Sequence, residues 1–310
     1  MGSNNKLLAL VIPAYKLDYL DAALDSLVRQ TNKDFNVYIG IDASPYNLEE
    51  VIGRYQTKLS ISTIRFKNNL GGKDLVAQWE RCITMTNDEP WIWLFSDDDL
   101  IGPKCVELFY QEIEKEKKYD IYHFNTTIID RVGNIIKKTK SYPKIYDSKK
   151  FYKAKSRGKI ESFVVENVFS RDIYQKIGGF VKFDLAWGSD TATWAMMASN
   201  KGIKTIYGDY VYWRKSDKNI TPKINPIVLQ RKLYAGVEFI KWANSYWLSS
   251  VRLFNHYAFF LMYFYYFGHM NDQMKDKLLQ AALNNKIITR IEVCAYNYLN
   301  PLVTFLRKMI

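Results

Sequence analysis

Acidic side chains follow two apolar segments of the sequence near the point where each segment ends. Asp97–Asp99 come one residue after the apolar run 91–95, and Asp42 comes directly after the run 35–41. Since ligands of open α/β sheets bind beyond the carboxyl ends of the strands, both acidic positions are candidates for a ligand site. Three adjacent carboxylates repel one another and raise each other's pKa values unless a cation neutralises them. The sequence therefore predicts a divalent metal ion at Asp97–Asp99.

The acidic run favours Mg²⁺ or Mn²⁺ over other metals. These cations are commonly held by few carboxylates and shared with substrate phosphates. A calcium-binding EF-hand loop is excluded because Ile101 and Leu108 stand where that loop needs oxygen ligands. A solvated turn that caps the helix beginning near Pro103 remains an alternative.

The first hundred residues alternate apolar runs with amphipathic segments, and this pattern predicts strands that alternate with helices. Continuous apolar runs are typical of parallel strands that are covered on both faces. The predicted strands are 7–12, 35–41, 62–66 and 91–95, and the predicted helices between them are 18–29, 48–59 and 73–85. Such alternation predicts a mainly parallel sheet built from βαβ units.

The pattern changes after Pro103, which suits the first turn of a helix that runs to about Lys118. The further predicted elements are an antiparallel hairpin of strands 119–130 and 134–138, a strand 163–169, helices 172–177 and 189–200, and a strand 205–213. Two prolines in the short polar stretch 221–226 predict a domain boundary. We therefore expect an α/β domain over residues 1–222 and a helical C-terminal subdomain over residues 223–310.

The C-terminal segment contains an aromatic run of eleven residues, Tyr257–Phe267. This run is too short to cross a bilayer, which requires about 20 residues. A buried helix, a contact between subunits and a face lying on a membrane surface remain as alternatives.

The chain carries a net charge of +12, which predicts attraction to an anionic partner. Between Val132 and Lys159, nine lysines and Arg157 stand against Asp147 alone, a net charge of +9. A solvated surface and a surface for anionic lipid or an anionic acceptor are both consistent with this basic stretch.

Cysteine and histidine usage excludes two kinds of site. Three scattered cysteines do not form a disulfide framework, and three scattered histidines do not form a zinc-binding pattern. A reducing environment, together with an N-terminal sequence that lacks signal-peptide features, leads us to expect a cytoplasmic protein.

Several short motifs follow one another in a fixed order. They are Val11–Tyr15, Asp42, Asn69–Gly72, Phe95–Leu100, Val168–Asp172, Ile177–Phe180, Trp187–Asp190 and Tyr212–Arg214. In order and spacing they resemble the inverting family-two glycosyltransferases with the GT-A fold. The resemblance covers about residues 7–220 and leaves the C-terminal helices outside. It implies a Rossmann-like domain with a donor-binding half at about 1–102 and an acceptor half at about 103–222.

The resemblance implies a role for each donor-site residue. Pro13, Ala14 and Tyr15 would border the nucleotide base, Asp42 would accept a hydrogen bond from the uracil N–H, and Asn69 and Gly71 would line the donor site. Asp97 and Asp98 would lie against the ribose and the sugar, and Asp99 would coordinate the metal that bridges the diphosphate. Ser96 stands where the family's acidic motif usually begins with aspartate, so the division of labour between Asp97 and Asp98 stays open.

The resemblance also implies roles for three residues nearer the acceptor. Asp190 would be the general base, although the usual Glu–Asp pair is Ser189–Asp190 here. An N-terminal helix cap is the alternative for Asp190. Arg214 would contact the diphosphate, with a surface ion pair as the alternative. Trp187 would stack on an acceptor sugar ring, with a place in the core as the alternative.

The function that follows is metal-dependent transfer of a sugar, with inversion, from a nucleoside-diphosphate sugar to a hydroxyl group. By the resemblance the donor is a UDP-sugar, and the acceptor is a glycan or lipid-linked molecule of surface polysaccharide synthesis. We expect peripheral contact with an anionic membrane and no nucleic acid partner.

Two other classes of protein remain as alternatives. A sugar-phosphate nucleotidyltransferase would be expected to carry a glycine-rich loop after the first strand, and residues 13–18 contain no glycine. A non-catalytic protein that binds RNA or lipid would leave the acidic strand ends unexplained.

Overall fold

The computed structural model describes residues 6–115, 119–216 and 224–308. These residues divide into two compact units. The first contains the chain up to Lys182 and the segment from Asp190 to the last strand, and the second contains Phe183–Ser189 and the C-terminal helices. The predicted boundary at 222/223 lies outside the described residues, as does the predicted helix end near Lys118.

A twisted β-sheet forms the centre of the first unit. Its strands are β1 (Leu8–Ala14), β2 (Phe35–Ile41), β3 (Ile61–Arg65), β4 (Trp91–Leu94), β5 (Leu100–Ile101), β6 (Ile121–Ile129), β7 (Ile135–Lys138), β8 (Ile145–Tyr146), β9 (Asn167–Ser170) and β10 (Ile203–Arg214). The order across the sheet is β3-β2-β1-β4-β9-β6-β10-β5, while β7 pairs with β6 and β8 pairs with β10.

The first half of the sheet is parallel, as the sequence predicts. β1 lies between β2 and β4, and β2 also pairs with β3, all in parallel register. The carboxyl ends of β1, β2 and β4 consequently lie at the same edge of the sheet. β9 then runs antiparallel between β4 and β6, whereas β6 and β10 are parallel to each other. The predicted fold class, a mainly parallel sheet with a smaller antiparallel part, is confirmed.

Helices cover the sheet of the first unit. They are α1 (Leu20–Val28), α2 (Leu48–Gly53), α3 (Leu75–Ile83), α4 (Cys105–Lys115), α5 (Ser148–Ser156), α6 (Arg171–Lys176) and α7 (Ser189–Met197), the last beginning at the division between the units. α3 shows why these segments are helical. Asp74 caps it by accepting a hydrogen bond from the Ala77 N–H at 2.9 Å, and its apolar residues Val76, Trp79 and Cys82 face the interior.

The structure corrects the prediction at several elements. α2 ends at Gly53 rather than at residue 59, and the predicted strand 163–169 begins only at Asn167. Before β9 the chain turns instead, because the Glu166 carboxylate accepts hydrogen bonds from Ser162 and Phe163. The basic stretch also contains β8 and α5, which the charge pattern does not predict. Phe151 and Tyr152 anchor α5 in the interior.

The second unit is helical, as expected. It contains α8 (Pro226–Tyr246), α9 (Arg252–Tyr266), α10 (Asp272–Asn284) and α11 (Arg290–Lys308). Phe259 and Tyr263 of the aromatic run are buried, and the ring of Tyr263 lies 4.9 Å from that of Tyr296. One face of the run therefore packs within this unit. Among the described residues no helix has both the length and the apolar character that a membrane span requires.

Candidate functional site

The ends of β1 and β4 are joined through one carboxylate of the acidic run. The backbone N–H groups of Tyr15 and Lys16 donate to Asp97 Oδ2 at 2.7 and 2.6 Å. Both donors follow β1, and Asp97 follows the neighbouring strand β4. The parallel pairing thus places Asp97 against the turn that follows β1.

Lys16 pairs with two of the three aspartates. Its Nζ forms an ion pair with Asp98 and lies 3.5 Å from Asp97 Oδ1. Asp98 also accepts a hydrogen bond from the Ser96 hydroxyl. Ser96 is the residue that stands where the family motif usually begins with aspartate. Although burial lowers the pKa of Lys16, the carboxylates of Asp97 and Asp98 outweigh it and raise that pKa above its ordinary value. The protein thus supplies its own cation to this part of the cluster.

Asp99 is tied to the end of β10 rather than to β1. The Arg214 backbone N–H donates to Asp99 Oδ1 at 2.7 Å, and Arg214 Nε donates to the Asp98 carbonyl at 2.8 Å. Burial, followed by the charge of Asp98, raises the pKa of Asp99 well above its usual range. Among the described contacts, Asp99 accepts from a neutral N–H group, whereas Asp97 and Asp98 each lie against the Lys16 ammonium.

The residues of the acidic run fit a divalent cation. Carboxylate oxygens are the ligands that Mg²⁺ and Mn²⁺ prefer, and a cation beside Asp99 would relieve its buried charge. Within residues 6–115, 119–216 and 224–308 no group of three or more His, Cys, Asp or Glu side chains is placed so that it could hold a metal ion by itself. A metal here would therefore share its coordination with ligand oxygens.

Asp42 holds the turn that precedes α3. Its Oδ1 accepts from the Leu70 N–H at 2.7 Å, and its Oδ2 accepts from the Gly71 N–H at 2.7 Å and from Asn69 Nδ2 at 3.0 Å. The guanidinium of Arg81 forms an ion pair with the same carboxylate. The structure thus brings Asp42, Asn69 and Gly71 together, and the uracil contact of Asp42 stays a prediction.

The turn after β1 combines buried and open positions. Ala14 is buried and accepts a hydrogen bond at its carbonyl from the Asp42 N–H at 2.9 Å, which joins the ends of β1 and β2. Pro13 pairs with Gly40 in the same ladder. The Tyr15 side chain is 42% exposed, so its ring is accessible to a ligand at this edge.

Asp190 lies apart from the acidic run in the described contacts. It sits in the first turn of α7, where its Oδ1 accepts hydrogen bonds from the N–H (2.6 Å) and the hydroxyl (3.3 Å) of Thr191. The general-base role of Asp190 and its alternative as a helix cap both stay predictions. Burial raises the pKa of Asp190, and the charge of Lys155 acts against that rise. A carboxylate of raised basicity is suited to proton abstraction.

Arg214 and Trp187, for which ligand contacts were predicted, both contact other residues of the chain. Arg214 is 3% exposed, and its NH1 donates to the carbonyls of Asp130 and Arg131 at 3.0 Å each. The surface ion pair considered for Arg214 is wrong, since this guanidinium is buried against backbone carbonyls; its diphosphate contact stays a prediction. Trp187 belongs to the second unit, where Lys232 Nζ lies 4.7 Å from the centre of its ring. Its acceptor contact likewise stays a prediction.

Four charged residues of these clusters escape prediction from the sequence. Lys16 and Arg81 compensate the two acidic strand ends, and a search for a cation near each end would have found Lys16 directly after Tyr15. Glu166 and Lys155 lie near Asp190. No sequence signal marks them, because Glu166 stands in an apolar segment and Lys155 is one of many lysines.

Comparison with known proteins assigns the chain to a family. The family described as Glycosyl transferase family 2 matches residues 9–178, which is more than half of the chain. The chain belongs to this family. An uncharacterized glycosyltransferase of Methanocaldococcus jannaschii is 31% identical over 138 residues. The match covers 44% of this chain and 45% of that relative, so the chain spans less than half the length of this curated relative.

The fold is similar to that of a solved structure, TarS of S. aureus. TarS 1–349 in complex with UDP-GlcNAc aligns with a TM-score of 0.67 at 13% identity, covering 97% of this chain and 87% of that one. The same fragment in complex with UDP aligns with a TM-score of 0.62, also at 13% identity and with the same coverage. At this identity the likeness shows the fold, and it extends over the C-terminal helices that the sequence motifs leave out.

Proposed function

We propose that this chain transfers a sugar from a UDP-sugar to a hydroxyl group with inversion at the anomeric carbon. Family membership supports sugar transfer over the nucleotidyltransferase and the non-catalytic alternatives. The observation that carries the proposal is the shared edge of β1, β2 and β4, where Asp97 and Asp42 are both hydrogen-bonded to the turn after β1. UDP as the nucleotide is supported by the fold neighbour TarS, whose structures contain UDP-GlcNAc and UDP.

In the proposed reaction the side chains divide between donor and acceptor. The turn at Tyr15 and the Asp42-bound turn hold the nucleoside, and the acidic run faces the diphosphate. A Mn²⁺ or Mg²⁺ ion at Asp99 would offset the negative charge that develops on the departing nucleoside diphosphate. Asp190 takes the proton from the acceptor hydroxyl, whose oxygen then attacks the anomeric carbon from the face opposite the leaving group.

Screening of nucleotide sugars tests this function without knowledge of the acceptor. We expect slow hydrolysis of one or a few UDP-sugars in the presence of Mn²⁺, loss of hydrolysis with EDTA, and release of the inverted sugar anomer, read by proton NMR. The proposal would be contradicted if the chain hydrolysed none of the nucleotide sugars and instead cleaved or formed the phosphate bonds of a nucleoside triphosphate.

A thermal-stability assay separates this function from RNA binding. If UDP raises the melting temperature only when Mn²⁺ is present, the result supports a metal-dependent glycosyltransferase, because a ligand stabilises the folded state that binds it. No response to UDP together with salt-sensitive RNA binding would support the alternative.

We also propose that the chain is a cytoplasmic protein that contacts anionic membrane through the arm between β6 and β7. Val132 at the tip of this arm is 82% exposed, and Ile135 and Ile136 of β7 are 59% and 53% exposed. Lys137 and Lys138 follow them at the start of the basic stretch. Exposed aliphatic side chains beside lysines match the apolar and anionic layers of a membrane surface. An acceptor linked to lipid would lie at the same surface.

Vesicle co-sedimentation tests this contact. Val132→Asp is expected to weaken binding to vesicles of phosphatidylglycerol and phosphatidylcholine, while neither protein binds pure phosphatidylcholine. Ile291→Asp is the matched control, since Ile291 is also 82% exposed but lies on α11. Equal vesicle binding by Val132→Asp and Ile291→Asp would show that the arm does not contact the membrane.

A further inference from the structure

Lys16, which directly follows Tyr15, is a cation at the donor edge that the proposed reaction does not use. Its backbone N–H donates to Asp97 Oδ2 at 2.6 Å, which fixes the start of its side chain at the end of β1. Its Nζ forms an ion pair with Asp98 and lies 3.5 Å from Asp97 Oδ1. The two carboxylate side chains are 4% and 5% exposed, whereas the Lys16 side chain is 21% exposed. Of these three side chains, that of Lys16 is therefore the one that a ligand reaches most easily.

Lys16 is also freer to change partner than the two arginines of this edge. Arg214 is 3% exposed, and its guanidinium donates to three backbone carbonyls. Arg81 donates both to Asp42 and to Gln78. In the part of the chain that the structure describes, the Lys16 ammonium contacts the acidic run alone. Because lysine carries its charge on a flexible four-carbon stem, this ammonium can move without a change in the backbone.

The charge balance around Lys16 changes when a donor binds. In the free chain three carboxylates, Asp97–Asp99, lie beside this one ammonium. With a divalent cation at Asp99, the acidic run needs the ammonium less, and the two positive charges repel each other. The diphosphate brings oxygen atoms that accept strong, charge-assisted hydrogen bonds from lysine. Both effects favour movement of the Lys16 ammonium from the carboxylates toward the diphosphate.

We propose that Lys16 is a donor-binding residue whose ammonium passes from Asp97 and Asp98 to a phosphate oxygen of the nucleotide when metal and nucleotide bind together. This inference rests on the proposed function, in which the acidic run faces a nucleoside diphosphate. In the free chain Lys16 compensates the carboxylates until the donor arrives. Lys16 consequently opposes binding of the metal alone and favours binding of the metal together with the diphosphate.

Binding of Mn²⁺ without nucleotide, measured by electron paramagnetic resonance, tests the first half of the inference. Lys16→Met removes the competing cation and is expected to bind Mn²⁺ about tenfold more tightly, whereas Lys16→Arg keeps the charge and the weaker affinity. Lys67→Met is the matched control. Lys67 is exposed and follows β3, which is parallel to β2, so this variant removes the same charge at the same edge of the sheet. Its Mn²⁺ affinity is expected to be unchanged.

Calorimetric titration with UDP and with uridine, both in saturating Mn²⁺, tests the second half. In Lys16→Met we expect the affinity for UDP to fall about 10- to 100-fold, the loss of one charged hydrogen bond, and the affinity for uridine to be unchanged. Lys16→Arg is expected to keep most of the preference for UDP over uridine, and Lys67→Met to keep all of it.

Two results would overturn the inference. One is a preference of Lys16→Met for UDP over uridine that equals that of the unchanged chain, and the other is a Mn²⁺ affinity that does not rise in this variant. If Lys16→Met does not fold, Lys16→Gln replaces it, because its neutral amide can still donate a hydrogen bond to a carboxylate. An unchanged chain that binds UDP no better than uridine in Mn²⁺ would instead overturn the proposed function.

Discussion

Lys16 shows how a single side chain keeps the acidic run compatible with folding. Its single positive charge faces Asp97 and Asp98, two carboxylates that are almost fully buried. In Lys16→Met these charges lose their partner, and we expect the free energy of unfolding to fall by about 1–3 kcal/mol. Mn²⁺ is expected to restore more stability to Lys16→Met than to the unchanged chain, since the metal replaces a missing cation.

Chemical denaturation with and without Mn²⁺ measures this effect. Lys176→Met serves as the control, because Lys176 is an exposed residue of α6. A loss of stability in Lys16→Met no greater than in Lys176→Met would show that the ion pair contributes little.

In the proposed reaction, Asp190 is the residue that removes the proton from the acceptor. In Asp190→Asn the side chain keeps its shape but cannot accept the proton, so we expect transfer to fall by about 10²–10⁴-fold. UDP binding is expected to be unchanged, because the described contacts of Asp190 do not join it to the acidic run. Turnover rates and UDP titration check the two halves of this prediction, and near-normal turnover would leave Asp190 without a catalytic role.

Glu166 makes stability depend on pH. Its pKa of about 7 lies above the ordinary 4.5, so the folded chain holds a proton that the unfolded chain releases in this range. The contribution to stability is complete below pH 4.5 and declines as pH rises to 7, by about 3 kcal/mol in total. Buried His123 acts in the opposite sense between about pH 3 and 6.5, so the informative quantity is a difference.

We therefore expect the stability of Glu166→Gln relative to the unchanged chain to increase from pH 4.5 to 7, as measured by urea denaturation. A difference that is constant with pH would show that Glu166 is ionised in the folded chain throughout this range.

At the scale of elements, close packing of α3 on β2 positions the end of β2 and hence Asp42. A Cβ atom added at Gly40 would lie 2.3 Å from Cys82 Sγ and 2.9 Å from the Phe66 ring. Gly40→Ala is therefore expected to push α3 from the sheet and to lower the free energy of unfolding by about 1–3 kcal/mol. UDP affinity is expected to fall as well, because Asp42 follows β2.

Gly53→Ala is the control for this prediction. Beyond its chain neighbours and its own helix backbone, no atom lies within 4 Å of a Cβ built at Gly53. Since alanine also favours the helix, we expect a stability change of less than about 1 kcal/mol, with a gain favoured. Urea denaturation compares the two variants. Equal stabilities would show that α3 and β2 adapt to the added methyl group.

The elements also show what the sequence can predict and what it cannot. β1, β2 and β4 were predictable because each is a largely apolar run, and parallel pairing then places Asp42 and Asp97 at one edge. The turn before β9 was not predictable, because the Glu166 side chain bends a segment whose apolar pattern is that of a strand. In the basic stretch, Phe151 and Tyr152 fold α5 despite the surrounding lysines.

Residue roles were less predictable than elements. The pattern indicates an acidic site, but it does not show that Lys16 and Arg81 already compensate the carboxylates. These pairs depend on side chains that meet only after folding, from segments up to 82 residues apart.

For the whole molecule, charge is separated between the site and the surface. The net charge is +12, and the exposed arm with the basic stretch contributes most of it, whereas the carboxyl edge of the sheet gathers Asp42 and Asp97–Asp99. An anionic diphosphate at an acidic edge requires a cation between them. The proposed transfer therefore depends on a metal ion that acts together with Asp99.

Calorimetric titration of UDP with and without Mn²⁺ tests this claim most directly. We expect UDP to bind in the presence of Mn²⁺, EDTA to abolish that binding, and Asp99→Asn to lose the response to the metal. Asp88→Asn, a change at an exposed aspartate, is expected to bind as the unchanged chain does. UDP binding of equal strength with Mn²⁺, with EDTA and in Asp99→Asn would contradict the account.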